Sequence, residues 1–134
     1  MDPFTGGWAA NLSKSRRHAN HQFASATMNF EVTGDVVSLT YVGINAAGKQ
    51  ESNRMLLHAD GLEHPLPEAP GVVVVSQWVS THRIDTQARK GDNVLGHATY
   101  EVSSDGSLLT ATVSGIDASG TSIEQVIVFD RQQS

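Results

Sequence analysis

Turn signals cut most of the chain into runs of about ten residues, and this spacing limits the fold more than any other feature. They are Thr33-Gly34-Asp35, Asn45-Ala46-Ala47-Gly48, Asp60-Gly61, Lys90-Gly91-Asp92-Asn93, Ser104-Asp105-Gly106 and Asp117-Ala118-Ser119-Gly120. Asn and Asp side chains bond the backbone two residues on, and Gly supplies positive φ. Val, Ile and Thr make up 29 residues, and their stiff β-branched side chains suit a pleated surface. The pattern predicts strands near 6–12, 24–32, 36–45, 50–59, 77–89, 94–103, 107–116 and 121–131. The stretch 62–75 contains Pro65, Pro67 and Pro70 and reads as a loop with a short edge piece over 72–75, because Pro cannot donate to a ladder. No segment shows helical periodicity, and 13–22 has room for one helical turn at most. The hairpins at 43–48 and 115–120 share the pattern G-I-[ND]-A-[AS]-G, which reads as one turn solution used twice.

Alternation assigns the faces. In 77–89, Trp78, Ser80, His82, Ile84, Thr86 and Ala88 share the inward side, opposite Gln77, Arg83, Asp85 and Arg89. Val94, Gly96, Ala98, Tyr100 and Val102 point inward from 94–103, as do Leu109, Ala111 and Val113 from 107–116. Met28, Phe30, Leu39, Tyr41, Asn53, Met55, Leu57, Ile123, Gln125, Ile127 and Phe129 join them. A sheet of eight to ten long strands must close or stack, since open edges invite other chains. Sequential hairpins favour a closed antiparallel up-and-down β-barrel, a single all-β domain over 1–134. Small inward residues such as Gly96, Ala98 and Ala111 leave room for a ligand, against the alternative of a barrel filled by its own side chains.

Composition narrows the function. At 134 residues with a net charge of -5, the chain lacks the basic face that nucleic-acid binding needs. With 39% hydrophobic and 17% charged residues it is too apolar for disorder. No apolar run approaches the ~20 residues of a membrane-spanning helix. The absence of cysteine removes disulfides, thiol catalysis and zinc–thiolate sites. No leader is visible in Met1-Asp2-Pro3-Phe4, so the expected compartment is the cytoplasm, or the periplasm or exterior if a leader has been removed.

The start of the chain, Phe4-Thr5-Gly6-Gly7-Trp8, reads F-x-G-x-W and resembles the first strand of the calycins, the lipocalins and fatty-acid-binding proteins. Asn11-Leu12-Ser13-Lys14-Ser15 and the hairpins at 104–106 and 115–120 are similar to small bacterial lipocalin-like proteins. The resemblance implies that Trp8 seals the barrel floor and that Arg131 packs over it as a structural pair. It also implies binding of a small hydrophobic or amphipathic molecule. Two features depart from the fatty-acid-binding proteins. The ten or so residues 13–22 are too few for a helical lid, and the tyrosine expected near Arg131 is Phe129 or Asp130.

The candidate ligand-binding residues are Tyr41, Asn53, Met55, Trp78, His82, Tyr100, Gln125 and Phe129, an apolar lining with a few orienting polar groups. The rival reading is a hydrolase or isomerase using His82 with Tyr41 or Tyr100 inside the same barrel. His18 and His21 have H-x-x-H spacing, and His58 and His64 flank Asp60-Gly61, but these read as solvated loop histidines. No metal site or cofactor is expected. His97 and Glu101 share a face that reads as wet, and Lys14, Arg16 and Arg17 lie in an acid-free stretch that reads as a solvated loop.

Overall fold

A computed structural model describes residues 3–16, 23–45, 47–65, 70–116 and 122–132. Among these residues ten antiparallel strands make one sheet: β1 (Gly6–Arg16), β2 (Phe23–Thr33), β3 (Val36–Asn45), β4 (Gln50–His58), β5 (Asp60–Pro65), β6 (Val72–Ser80), β7 (Arg83–Lys90), β8 (Asn93–Val102), β9 (Leu108–Ile116) and β10 (Ser122–Arg131). The order is β4-β3-β2-β1-β10-β9-β8-β7-β6-β5, an up-and-down meander whose first and last strands pair through Trp8 and Arg131. The barrel is nearly closed. One seam, between β4 and β5, has no ladder although the two strands are consecutive in sequence. At the seam His58 stacks on His64 with ring centroids 4.4 Å apart, and the Asp60 carboxylate accepts from His64 Nε2 at 2.9 Å.

Two expectations are corrected here. The strand expected over 77–89 is a hairpin, since β6 ends at Ser80 and β7 begins at Arg83. The loop expected over 62–75 contains the ends of two paired strands, β5 and β6, with Pro65 at the last position of β5. Of 13–22, the part through Arg16 continues β1, and 17–22, with His18 and His21, lie outside the described residues.

In a meander, alternate turns fall at the same end. The turn at Thr33–Asp35, the connection at Ala59, the turn at Thr81–His82, the turn at 103–107 and the amino-terminal segment therefore share one end, the floor. The core fills this half. Phe4, Trp8, Phe30, Val37, Leu57, Ile84 and Leu109 are within 1% of complete burial. Phe4 meets Phe30 and Trp78 at 5.6 Å, and Phe30 meets Tyr100 edge-on at 6.0 Å. The Trp8 indole N–H donates to the Phe4 carbonyl at 3.0 Å, so this buried polar group is satisfied.

Candidate functional site

The interior changes character halfway up. Toward the mouth, the inward positions are Tyr41 and Gly43 on β3, Val74 and Ser76 on β6, Thr86 and Ala88 on β7, Gly96 and Ala98 on β8, Val113 on β9, and Ile123 and Gln125 on β10. Most are small or polar. Ser76 and Gly43 are buried, while Tyr41, Val74, Thr86, Ala88, Ala98, Val113, Ile123 and Gln125 are only half-buried. Side chains that face a barrel interior yet keep accessible surface border unfilled space rather than close-packed neighbours. The floor half is packed solid and the mouth half is not.

The polar groups of the mouth half are neutral. Burial raises the Tyr100 phenol above its ordinary value, and burial followed by the nearby Glu51 carboxylate raises Tyr41. Both are therefore O–H donors at neutral pH. No described residue hydrogen-bonds the Tyr100 hydroxyl. The Ser76 and Thr86 hydroxyls pair at 2.8 Å on the inward face; one donates to the other, whose own proton remains available. Tyr41 folds back along its strand over Gly43. A Cβ at Gly43 would stand 2.7 Å from the Tyr41 ring carbon Cζ, so only glycine permits this seat.

The structure separates the residues expected to form one site. Tyr41, Tyr100 and Gln125 face the interior, Tyr100 at its lower boundary. Phe129 belongs to the solid core. Asn53 and Met55 share the inward face of β4 with buried Leu57 but are exposed, because β4 borders the seam and no neighbouring strand covers them. Val94, counted among the inward residues of its strand's alternation, is exposed near the tip of the β7–β8 hairpin. His82 is not inside the barrel. It occupies the Thr81–His82 turn, its carbonyl accepting from Val102 N–H at 2.8 Å and its Nδ1 lying 3.0 Å from Thr81 Oγ1. It has no hydrogen bond to either tyrosine, so the catalytic pairing of His82 with Tyr41 or Tyr100 is not assembled. His97 and Glu101 are both exposed. Among the described residues no group of three His, Cys, Asp or Glu is placed to hold a metal ion.

Ser76 escaped the sequence reading because it fell between the edge piece ended at Val75 and the strand begun at Gln77; the unbroken run from Val72 through Ser-Gln-Trp was the signal that the two are one strand. At the floor end, Trp78, Ser80, Thr81 and His82 line a hollow of about 620 Å³ together with Pro3, Val32 and Gly34.

Solved structures with this architecture cover nearly the whole chain. Wild-type fluorescent protein UnaG superposes with a TM-score of 0.59 at 15% identity, over 96% of this chain and 97% of that one. Rv2717c from M. tuberculosis gives 0.61 at 17% identity, over 98% and 94%. Zebrafish ileal bile acid-binding protein, solved in complex with cholic acid, gives 0.56 at 12% identity, over 97% and 99%. The fold is that of the calycin barrels. No protein-family model and no curated protein sequence matches the chain. Trp8 and Arg131 lie opposite each other on β1 and β10, with the guanidinium over the indole ring.

Proposed function

We propose that the protein binds one small apolar or amphipathic molecule in the mouth half of the barrel. The observation that carries this reading is the division of the interior into a solid floor and a mouth half of small, half-buried inward residues. Apolar parts of the ligand would lie against Val74, Ala88, Ala98 and Val113, gaining ~0.8 kcal/mol per buried methylene. The Tyr41 and Tyr100 phenols and the Ser76–Thr86 pair are neutral donors suited to an uncharged or anionic oxygen. The likeness to barrels of known ligand supports the reading, since the zebrafish protein holds cholic acid, an amphipathic molecule. No cationic side chain among the inward residues named above would pair with a ligand carboxylate, which favours ligands held chiefly by their apolar body.

The test is titration with the uncharged probe N-phenyl-1-naphthylamine, followed by competition with decanoate and with cholate. One saturable site is expected. Ala98→Phe should fill the mouth half and abolish binding while the circular dichroism spectrum and denaturation midpoint stay near wild type. Absence of saturable binding, or undiminished binding by Ala98→Phe, would refute the proposal.

A further inference from the structure

Trp78 and His82 were both marked by their sequence as ligand-facing, and the interior site uses neither. They meet in the hollow at the floor end. We propose that this hollow is a second binding site, separate from the barrel interior, for a small flat aromatic carboxylate. Its volume of about 620 Å³ falls within the ~300–1,000 Å³ usual for small-molecule pockets.

The walls divide by chemistry. Pro3, Val32 and the Trp78 indole are apolar, and Ser80, Thr81 and His82 put three polar side chains on the β6–β7 turn. Trp78 packs one edge against Phe4 at 5.6 Å and is only half-buried, which leaves indole surface for a ring to stack on. Gly34 has φ 61°, and a Cβ there would meet nothing within 4 Å, so the β2–β3 turn leaves its side of the hollow open.

The polar tips are arranged as donors. Thr81 Oγ1 lies 3.0 Å from His82 Nδ1. With the hydroxyl donating, the neutral imidazole carries its proton on Nε2, which no described residue engages. Ser80 Oγ accepts from the His82 backbone N–H at 3.2 Å and keeps its own proton to donate. Two neighbouring donors match the two oxygens of a carboxylate. The ring attached to it would enter between Trp78, Val32 and Pro3.

The probe is 2-naphthoate, with 2-naphthalenemethanol as its uncharged counterpart, each titrated into the full-length protein and followed by ¹⁵N–¹H correlation spectra. Saturable 2-naphthoate shifts are expected at the Gly34, Thr81 and His82 amides and at the Trp78 indole N–H, with weaker binding of the alcohol. Trp8 is wholly buried, so its indole N–H serves as an internal control. His82→Ala should weaken 2-naphthoate by about tenfold, the usual effect of removing a hydrogen bond to a charged group. Ser80→Trp, at an exposed position, should abolish binding by filling the hollow. Ala98→Phe, which fills the interior, should leave 2-naphthoate binding unchanged, so this proposal and the interior one fail separately. Shifts confined to the mouth half, no saturation at millimolar probe, or wild-type affinity in Ser80→Trp would each overturn it.

Discussion

The guanidinium carbon of Arg131 lies 4.1 Å above the indole of Trp8, and its nitrogens donate to three backbone carbonyls, those of Pro3, Thr5 and Gly106. One side chain thus ties the last strand to the amino-terminal segment, to the β8–β9 turn and to the tryptophan that closes the floor. Gly6, at φ 128°, permits the approach, since a Cβ there would stand 3.0 Å from Arg131 Nη1. Arg131→Ala should lower stability by about 2–3 kcal/mol, from hydrogen bonds made by a charged donor and a cation–π contact. Arg131→Lys should recover only a fraction, because an ammonium cannot reproduce the planar fork. Urea denaturation with an unchanged m-value checks both; equal stability of the lysine variant and the wild type would show that charge alone suffices.

Gly43 and Tyr41 should be energetically coupled. Gly43→Ala forces the phenol out of its seat and should cost about 1–2 kcal/mol, in the range of overpacked cores. In a Tyr41→Ala background the same change should cost much less. A double-mutant cycle reads the difference, and strict additivity would mean that the close approach carries no energy.

The β8–β9 turn makes a prediction about pH. Asp105 Oδ1 accepts from Ser103 Oγ at 2.6 Å and from the Ser107 backbone N–H and hydroxyl at 3.0 and 2.7 Å, which holds its carboxyl down at about 2. A depressed folded value means that the turn's contribution to stability is complete above the ordinary value of 3.8 and is lost as pH falls through about 2. Carbon-detected titration of Asp105 should give that low midpoint, and Ser103→Ala should move it upward. A midpoint near 3.8 in the wild type would show that the three donors do not persist in solution.

The seam should be the most easily opened part of the wall. β4 and β5 each have one hydrogen-bonded neighbour, and across the gap they share the His58–His64 stack. Unpaired edge amides exchange from low-energy openings. Hydrogen exchange should therefore be fastest at alternate amides of β4 and β5 and slowest on β9 and β10. Uniform protection around the barrel would indicate that the two edges pair in solution.

What the sequence disclosed and what it hid divide along physical lines. The Trp8–Arg131 contact was legible through the resemblance that F-x-G-x-W carries to the calycins, and up-and-down closure, by pairing the first and last strands, brings the two residues together. The inward faces of β8, β9 and β10 were legible because alternation is a local property. The β6–β7 hairpin was hidden for two reasons. Thr81-His82 carries no Gly, Pro, Asn or Asp, and a register shift beside Ser80 keeps Trp78 and Ile84 opposite each other. The alternation therefore runs unbroken through the turn and carries His82 inward on paper. Asn53 and Met55 show the other limit. Alternation says which way a residue faces, but whether that face is covered depends on where the ring of strands fails to close.

Tyr100 offers the sharpest probe of the interior site. Its ring packs on Phe30 within the core, yet no described residue takes up its hydroxyl. The hydroxyl is not among the described buried polar atoms left without a partner, so it keeps access to the space beside it, and Tyr100→Phe should leave stability nearly unchanged. If that hydroxyl is held for a ligand, the same substitution should weaken an oxygen-bearing ligand about two- to tenfold, the effect of one neutral hydrogen bond. Cholate and decanoate, competing against the fluorescent probe, measure the loss, and a hydrocarbon competitor of similar size should show none. Denaturation of both proteins without ligand supplies the stability arm. A destabilised Tyr100→Phe would mean that the hydroxyl has a structural partner in solution. Unchanged affinity for every oxygen-bearing competitor would place the ligand's polar end elsewhere, at Tyr41 or the Ser76–Thr86 pair.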